Sequence, residues 1–183
     1  MEYIITNFGL GAFAIEHFLS IEEYDQLIAS SEVKGFEAAT INTHLGQQDV
    51  KAVRNNDRIL FDDYALAHRL FTLLKPFLPS AIDTWQPSGL NEKFRFYRYS
   101  GQQYFKWHVD GSFKRDYFEV SKLTVLFYLN DDYTGGETEF EHIKVLPKQG
   151  MALVFPHKLR HQGAELTQGA KYVLRSDVMY AKP

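Results

Sequence analysis

Two polar side chains interrupt an aromatic run at YFKWHVDGSF, residues 104–113: His108 and Asp110. In an extended strand, residues two apart project to the same face. A neutral imidazole and a carboxylate at that spacing can therefore reach one ion together. The pair alone is weak evidence, because His-x-Asp also arises by chance. A third ligand has to come from elsewhere, and His142, His157 and His161 are the candidates. Two histidines and one carboxylate make a facial triad, which suits Fe(II) and leaves positions open on the other side. The chain has no cysteine, which excludes thiolate zinc sites, iron–sulfur clusters, disulfides and cysteine nucleophiles. Any metal is held by nitrogen and oxygen, a donor set that iron, manganese, zinc and copper accept.

A second feature follows His161 by ten residues. Lys171, Val173 and Arg175, in GAKYVLRSD, alternate onto one strand face. A cation turned into a barrel beside a metal is costly unless it meets an anion. A dicarboxylate co-substrate is such an anion: one end chelates the metal and the far carboxylate pairs with the cation. The plain alternative for either cation is a surface salt bridge with Glu165 or Asp177.

These residues need a scaffold. From residue 93 the apolar pattern has period two: FRFYRY (94–99), KLTVLFYLN (122–130), GETEFE (136–141), KVLP (144–147), GMALVFP (150–156) and AKYVLRSDVMY (170–180) read as strands. Gly- and Asp-rich turns separate them. Before them, residues 3–18 read as a short strand leading into a helix. SIEE at 20–23 is a capping box, and helical spacing predicts a helix over about 20–31. A second helix carries Tyr64, Leu66, Ala67, Leu70, Phe71, Leu73 and Leu74, starts near Asp62 or Asp63, and is broken up by Pro76 and Pro79. His68 within it reads as a surface or packing histidine. The polar stretch 42–58 reads as a hairpin or a long surface loop. Helices first and strands after, with no alternation, is not a parallel α/β pattern. It predicts a mainly β, antiparallel sandwich or barrel with two or three N-terminal helices on one outer face.

Bulk properties agree. The 183 residues suit one domain, 1–183, with helical support over about 1–92 and a β core over about 93–183. The formal net charge of -3 argues against nucleic acid as the partner. There is no run of 18 apolar residues and no basic segment followed by an apolar one at the N-terminus, so no membrane partner and a cytoplasmic location are expected.

The order His-x-Asp, about fifty residues, His, ten residues, Lys is specific in combination. Over roughly residues 94–180 the chain resembles the 2-oxoglutarate- and Fe(II)-dependent dioxygenases, within them the prolyl 4-hydroxylase-like branch. YSGQQYFKWHVDG resembles that family's turn and His-x-Asp strand, LFYLNDDYTGGETEF its "YLN…GGET.F" segment, and GMALVFPHKLRHQGAELTQGAKYVLRSDVMY its distal histidine and anion-binding strand. The resemblance implies a double-stranded β-helix core of the jelly-roll or cupin-like kind. It implies His108, Asp110 and His161 as iron ligands, and Lys171 at the distal carboxylate of 2-oxoglutarate, with Arg175 as the alternative. Tyr99 and Tyr128 fall among the co-substrate hydrogen bonders. His157, in PHK, does not match the distal ligand and is left as a pocket or surface histidine. His142 is placed outside the site.

The implied activity is hydroxylation of an unactivated C–H by Fe(II), 2-oxoglutarate and O2, with succinate and CO2 as co-products and ascorbate as a candidate reductant. The implied acceptor is a prolyl or other residue of a peptide or protein. The alternatives are a free amino acid or other small molecule, or a non-catalytic metal-binding cupin-like module. Arg54, Trp107 and Arg175 are the candidate substrate contacts.

Overall fold

The computed structural model describes residues 2–39, 41–43, 46–48 and 52–182. Its centre is the twelve-residue strand Ala170–Ala181. This strand lies in a nine-stranded sheet in the order Ile4–Gly9, Ala12–Glu16, Ala152–Pro156, Glu119–Tyr128, Ala170–Ala181, Lys93–Ser100, Asp57–Asp62, Glu37–Ala38. Gln86–Leu90 pairs with the far end of the central strand. A four-stranded sheet, ordered Ile143–Val145, Thr138–Phe140, His161–Gly163, Phe105–His108, faces it.

The larger sheet is buried on both faces, which is why KLTVLFYLN and GMALVFP read as nearly unbroken apolar runs. One face presents Tyr97, Tyr99, Leu126, Tyr128, Leu153, Phe155 and Val173, packed with Phe140 and Val145 of the smaller sheet. The other presents Phe94, Phe96, Val125, Phe127, Val154 and Leu174 to Ala67, Leu70 and Leu74. The sandwich interior thus forms between the sheets, and the helices close the opposite face.

Both helices start where side-chain chemistry dictates. In the helix Ile21–Lys34, the Glu23 backbone N–H donates to Ser20 Oγ (3.3 Å), and the Ser20 N–H donates to Glu23 Oε2 (2.8 Å). That is the expected capping box, and the helix runs on to Gly35, whose φ of 78° ends it. In the helix Tyr64–Leu74, Asp63 Oδ1 accepts from the Leu66 N–H at 2.8 Å. Ser20→Ala is expected to lower the unfolding free energy by about 1 kcal/mol, read as a lower urea midpoint at unchanged slope.

The N-terminal half holds more β structure than its sequence suggests. Residues 3–18 form two antiparallel strands rather than one, reversed at Gly9, Leu10 and Gly11, all at positive φ. The second strand adds to the sheet beside Ala152–Val154. Around the start of 42–58, Ile41–Thr43 pairs with Gly46–Gln48 as a separate ribbon, in keeping with the hairpin reading, and at its end Asp57–Asp62 joins the large sheet. Residues 44, 45 and 49–51 of that stretch lie outside the described residues. Among the described residues no helix is long and apolar enough to cross a membrane.

Candidate active site

Sheet register assembles the polar residues. His108 ends its strand, and His161, opening the neighbouring one, lies directly opposite it. Asp110 follows, anchored by its own N–H to the His157 carbonyl (2.9 Å). One ligand atom from each of His108, Asp110 and His161 lies within 4.8 Å of the others. Nε2 of His108 is 3.7 Å from Asp110 Oδ1, and Nε2 of His161 is 3.7 Å from Asp110 Oδ2.

Both imidazoles are fixed from behind. His108 Nδ1 donates to the Lys106 carbonyl (2.7 Å) and His161 Nδ1 to the Leu159 carbonyl (2.9 Å). A carbonyl only accepts, so each ring carries its proton on Nδ1 and turns the Nε2 lone pair to the centre. Burial, then the neighbouring His161, pushes the His108 pKa down to about 4, and burial lowers that of His161. For Asp110, burial acts to raise the pKa. The Arg175 guanidinium, the two histidines and the Thr124 hydroxyl outweigh it and hold the carboxyl at about 2. Two neutral imidazoles and one carboxylate are the protonation states that metal binding needs.

One narrow cavity is lined by these three residues and by Lys171. Lys171 is 3% exposed, and its Nζ donates to the Gly136 carbonyl. The rings of Tyr99, Tyr128 and Tyr133 surround it at 5.5, 5.2 and 6.0 Å. Among the described residues it has no ion pair, and burial pulls its pKa down to about 7 against the raising effect of Glu137. Gly136 makes room for it: at φ +67°, a Cβ there would lie 3.3 Å from Lys171 Cδ and 3.1 Å from Leu166 Cδ1. Tyr99 pairs with Lys171 across the strands. The Tyr128 hydroxyl is bonded to Thr138 Oγ1 at 2.6 Å. Thr138 lines the cavity and is a site residue that sequence reasoning misses; its place at the close of the GGET segment is the signal that could have found it.

The other residues expected at the site take different places. Arg175 lines the cavity at the triad end, with Nη2 2.9 Å from Asp110 Oδ1 and 3.3 Å from Asp177 Oδ1. Its salt bridge to Asp177 is thus real but buried. Arg54 is 4% exposed, behind the wall, with Nε and Nη2 donating to Asn56 Oδ1 at 3.0 and 2.9 Å. Its guanidinium lies over Phe105 (4.2 Å), which itself stacks on His108 (3.6 Å between ring centroids). Trp107 packs under Arg160 and does not line the cavity. His142 is exposed and donates to the Phe8 carbonyl, and His68 is exposed on its helix. His157 is buried behind Asp110.

Comparisons with known proteins follow the same lines. The family model of the 2OG-Fe(II) oxygenase superfamily matches residues 94–176. No curated protein gives a significant match. Among solved structures, the chain is similar to a viral collagen prolyl hydroxylase from Paramecium Bursaria Chlorella virus-1 in its 2OG complex. The TM-score is 0.68 at 24% identity, covering 94% of this chain and 97% of that one. A Pseudomonas putida prolyl-4-hydroxylase matches with TM-score 0.64 at 16% identity, covering 94% and 93%. A Trichoplax adhaerens prolyl hydroxylase, solved with a hypoxia inducible factor peptide fragment, matches with TM-score 0.68 at 18% identity, covering 94% and 84%. At these identities the structural likeness is one of fold. The family match, however, runs from the strand of Tyr99 to the strand of Lys171 and takes in every residue that lines the cavity, so that residues 94–176 match the 2OG-Fe(II) oxygenase superfamily, on a prolyl-4-hydroxylase-like fold.

Proposed function

We propose that this oxygenase hydroxylates a C–H bond of a prolyl or other residue in a peptide or protein, with 2-oxoglutarate as co-substrate and succinate and CO2 as co-products. The observation that carries the co-substrate assignment is Lys171, a buried cation with no ion pair among the described residues, lining the same cavity as the triad. Leaving such a charge unpaired is costly, and a carboxylate arriving there relieves the cost.

The residues present fit the cofactors of the family. His108, Asp110 and His161 would hold Fe(II) through two nitrogens and one oxygen, a set suited to that ion. Lys171 would take the distal carboxylate of 2-oxoglutarate, with the hydroxyls of Tyr99, Tyr128 and Thr138 along the same wall. When bound, iron and 2-oxoglutarate supply the oxidising power that places one oxygen atom of O2 in the C–H bond. The chain's own role is positional. The carbonyls of Lys106 and Leu159 orient the imidazoles, and the aromatic walls exclude water from the reacting centre. Arg54, stacked behind Phe105 and His108, would stiffen the side of the cavity where an acceptor enters. The peptide acceptor is supported by the acceptors named for the similar structures, a collagen and a hypoxia inducible factor fragment.

Two measurements test the reading. Anaerobic addition of Fe(II) and then 2-oxoglutarate to metal-free protein should give a visible charge-transfer band. In air, succinate release should rise when a proline-containing peptide is supplied. Folded protein that gives no band excludes the co-substrate site. A band without stimulation by any peptide, but with stimulation by free amino acids, moves the acceptor to small molecules.

A further inference from the structure

Behind Asp110 runs a buried chain of hydrogen bonds that the proposed reaction does not call on. Thr124 Oγ1 donates to Asp110 Oδ2 at 2.6 Å. A hydroxyl has one proton to give and an ionised carboxylate only accepts. Thr124 must therefore accept from its other neighbour, His157 Nδ1, at 2.9 Å. With its proton on Nδ1, His157 has a bare Nε2, which takes the Ser121 hydroxyl at 2.7 Å. Ser121 Oγ accepts the Phe113 N–H, also at 2.7 Å. The donors thus point one way, from Phe113 through Ser121, His157 and Thr124 to Asp110. Thr124 is 0% exposed, Ser121 1% and His157 5%.

The backbone is shaped for this chain. Residues three apart on a regular strand face opposite sides. The register of Glu119–Tyr128 against the central strand shifts between Ser121 and Leu123. That irregularity lets Ser121 and Thr124 reach the two nitrogens of one imidazole. The other oxygen of Asp110, Oδ1, is held by Arg175. A carboxylate's last torsion is broad and soft. Donors on both oxygens, from different strands, remove that freedom.

We propose that His157, acting through Thr124, is a positioning residue that sets the plane of the Asp110 carboxylate and hence which lone pair meets the metal. The inference rests on reading Asp110 as a metal ligand. Partners one step behind a ligand typically change metal affinity by about 10- to 100-fold.

The test uses Co(II) alone, titrated into the metal-free full chain, read by calorimetry and by the visible d–d bands. Wild type should bind one Co(II), and His161→Ala should not. Thr124→Val and His157→Leu should bind about 10- to 100-fold more weakly, with altered d–d bands. Thr124→Ser keeps the hydroxyl, and His157→Asn keeps a donor near the place of Nδ1; both should bind close to wild type. A role in packing alone predicts no such rescue. Thermal melting without metal establishes that each variant is folded, and if Thr124→Val is not, the His157 pair carries the comparison. Equal affinity for His157→Leu and wild type overturns the proposal. So does equal weakening of His157→Leu and His157→Asn. Absence of binding by folded wild type sinks the metal reading itself, and the proposal with it, whereas normal wild-type binding with insensitive variants sinks the proposal alone.

Discussion

Lys171→Met is expected to weaken 2-oxoglutarate binding by orders of magnitude while making the unliganded fold more stable, although affinity and stability usually fall together. The ammonium is buried among Tyr99, Tyr128 and Tyr133, with the Gly136 carbonyl as its acceptor among the described residues. Removing one member of a buried ion pair costs about 3–5 kcal/mol. Affinity for 2-oxoglutarate should therefore fall by roughly 10²- to 10⁴-fold, measured by calorimetry with Mn(II) in place of iron. The unliganded protein, by contrast, sheds a desolvated charge. The pH dependence gives an independent reading. Burial holds Lys171 at about 7 in the folded chain, against about 10.4 unfolded. Between those values the unfolded chain binds the extra proton, so stability rises with pH through this window; below about 7 both states are protonated and the penalty is constant. The gain by pH 10 is on the order of 4 kcal/mol from this group. Urea unfolding of wild type and variant at pH 7 and pH 10 isolates it: the wild type should gain stability relative to Lys171→Met. Saturating 2-oxoglutarate should abolish the difference in slope, because the anion keeps the ammonium charged. Unchanged 2-oxoglutarate affinity in the variant would remove Lys171 from the co-substrate site.

The site is readable where function imposes spacing within a single strand. His108 and Asp110, and Lys171 with Arg175, are local patterns, and a period of two decides which side chains share a face. His161 is different. Its place opposite His108 follows from the pairing of two short strands, which no local pattern encodes, and its selection over His157 rests on resemblance. Both histidines prove to lie near Asp110, one in front and one behind, separated by the Thr124 hydroxyl. No period in the sequence marks that division, since it depends on a strand irregularity at Ser121. The fold shows the same contrast. The doubly buried central strands announce themselves as apolar runs, and Ser20 and Asp63 mark the helix starts. The strand Asp57–Asp62 goes unmarked because it starts inside the polar stretch and carries only three apolar residues, Ile59, Leu60 and Phe61, before the next helix begins. The turn at Gly9–Gly11 escapes notice because the apolar residues on either side read as one segment.

Asp110→Asn and His161→Gln are both expected to abolish metal binding and with it all turnover of 2-oxoglutarate, yet they should differ sharply in stability. His161 is neutral in the folded state, and its replacement removes one ligand without stranding a charge. Asp110 is the nearest counter-charge of Arg175, at 2.9 Å, and Arg175 is itself almost fully buried. Asp177 is 3.3 Å from Arg175 and is shared with Arg95 at 3.1 Å, so it cannot replace Asp110 in full. Leaving a buried guanidinium short of its partner should cost about 3–5 kcal/mol. The discriminating variant is the double one. Arg175→Met in the Asp110→Asn background removes the stranded charge, and Asp177 keeps Arg95 and the Asn91 amide as donors. Most of the lost stability should return while metal binding stays at zero. Urea unfolding of the two single variants and the double variant closes the cycle, and the coupling should reach a few kcal/mol, well above the roughly 0.3–0.5 kcal/mol expected of independent sites. Additive losses would mean that Asp177 alone suffices for Arg175. Asp110 would then be held in place chiefly by Thr124, and the arginine would be free to face a ligand in the cavity.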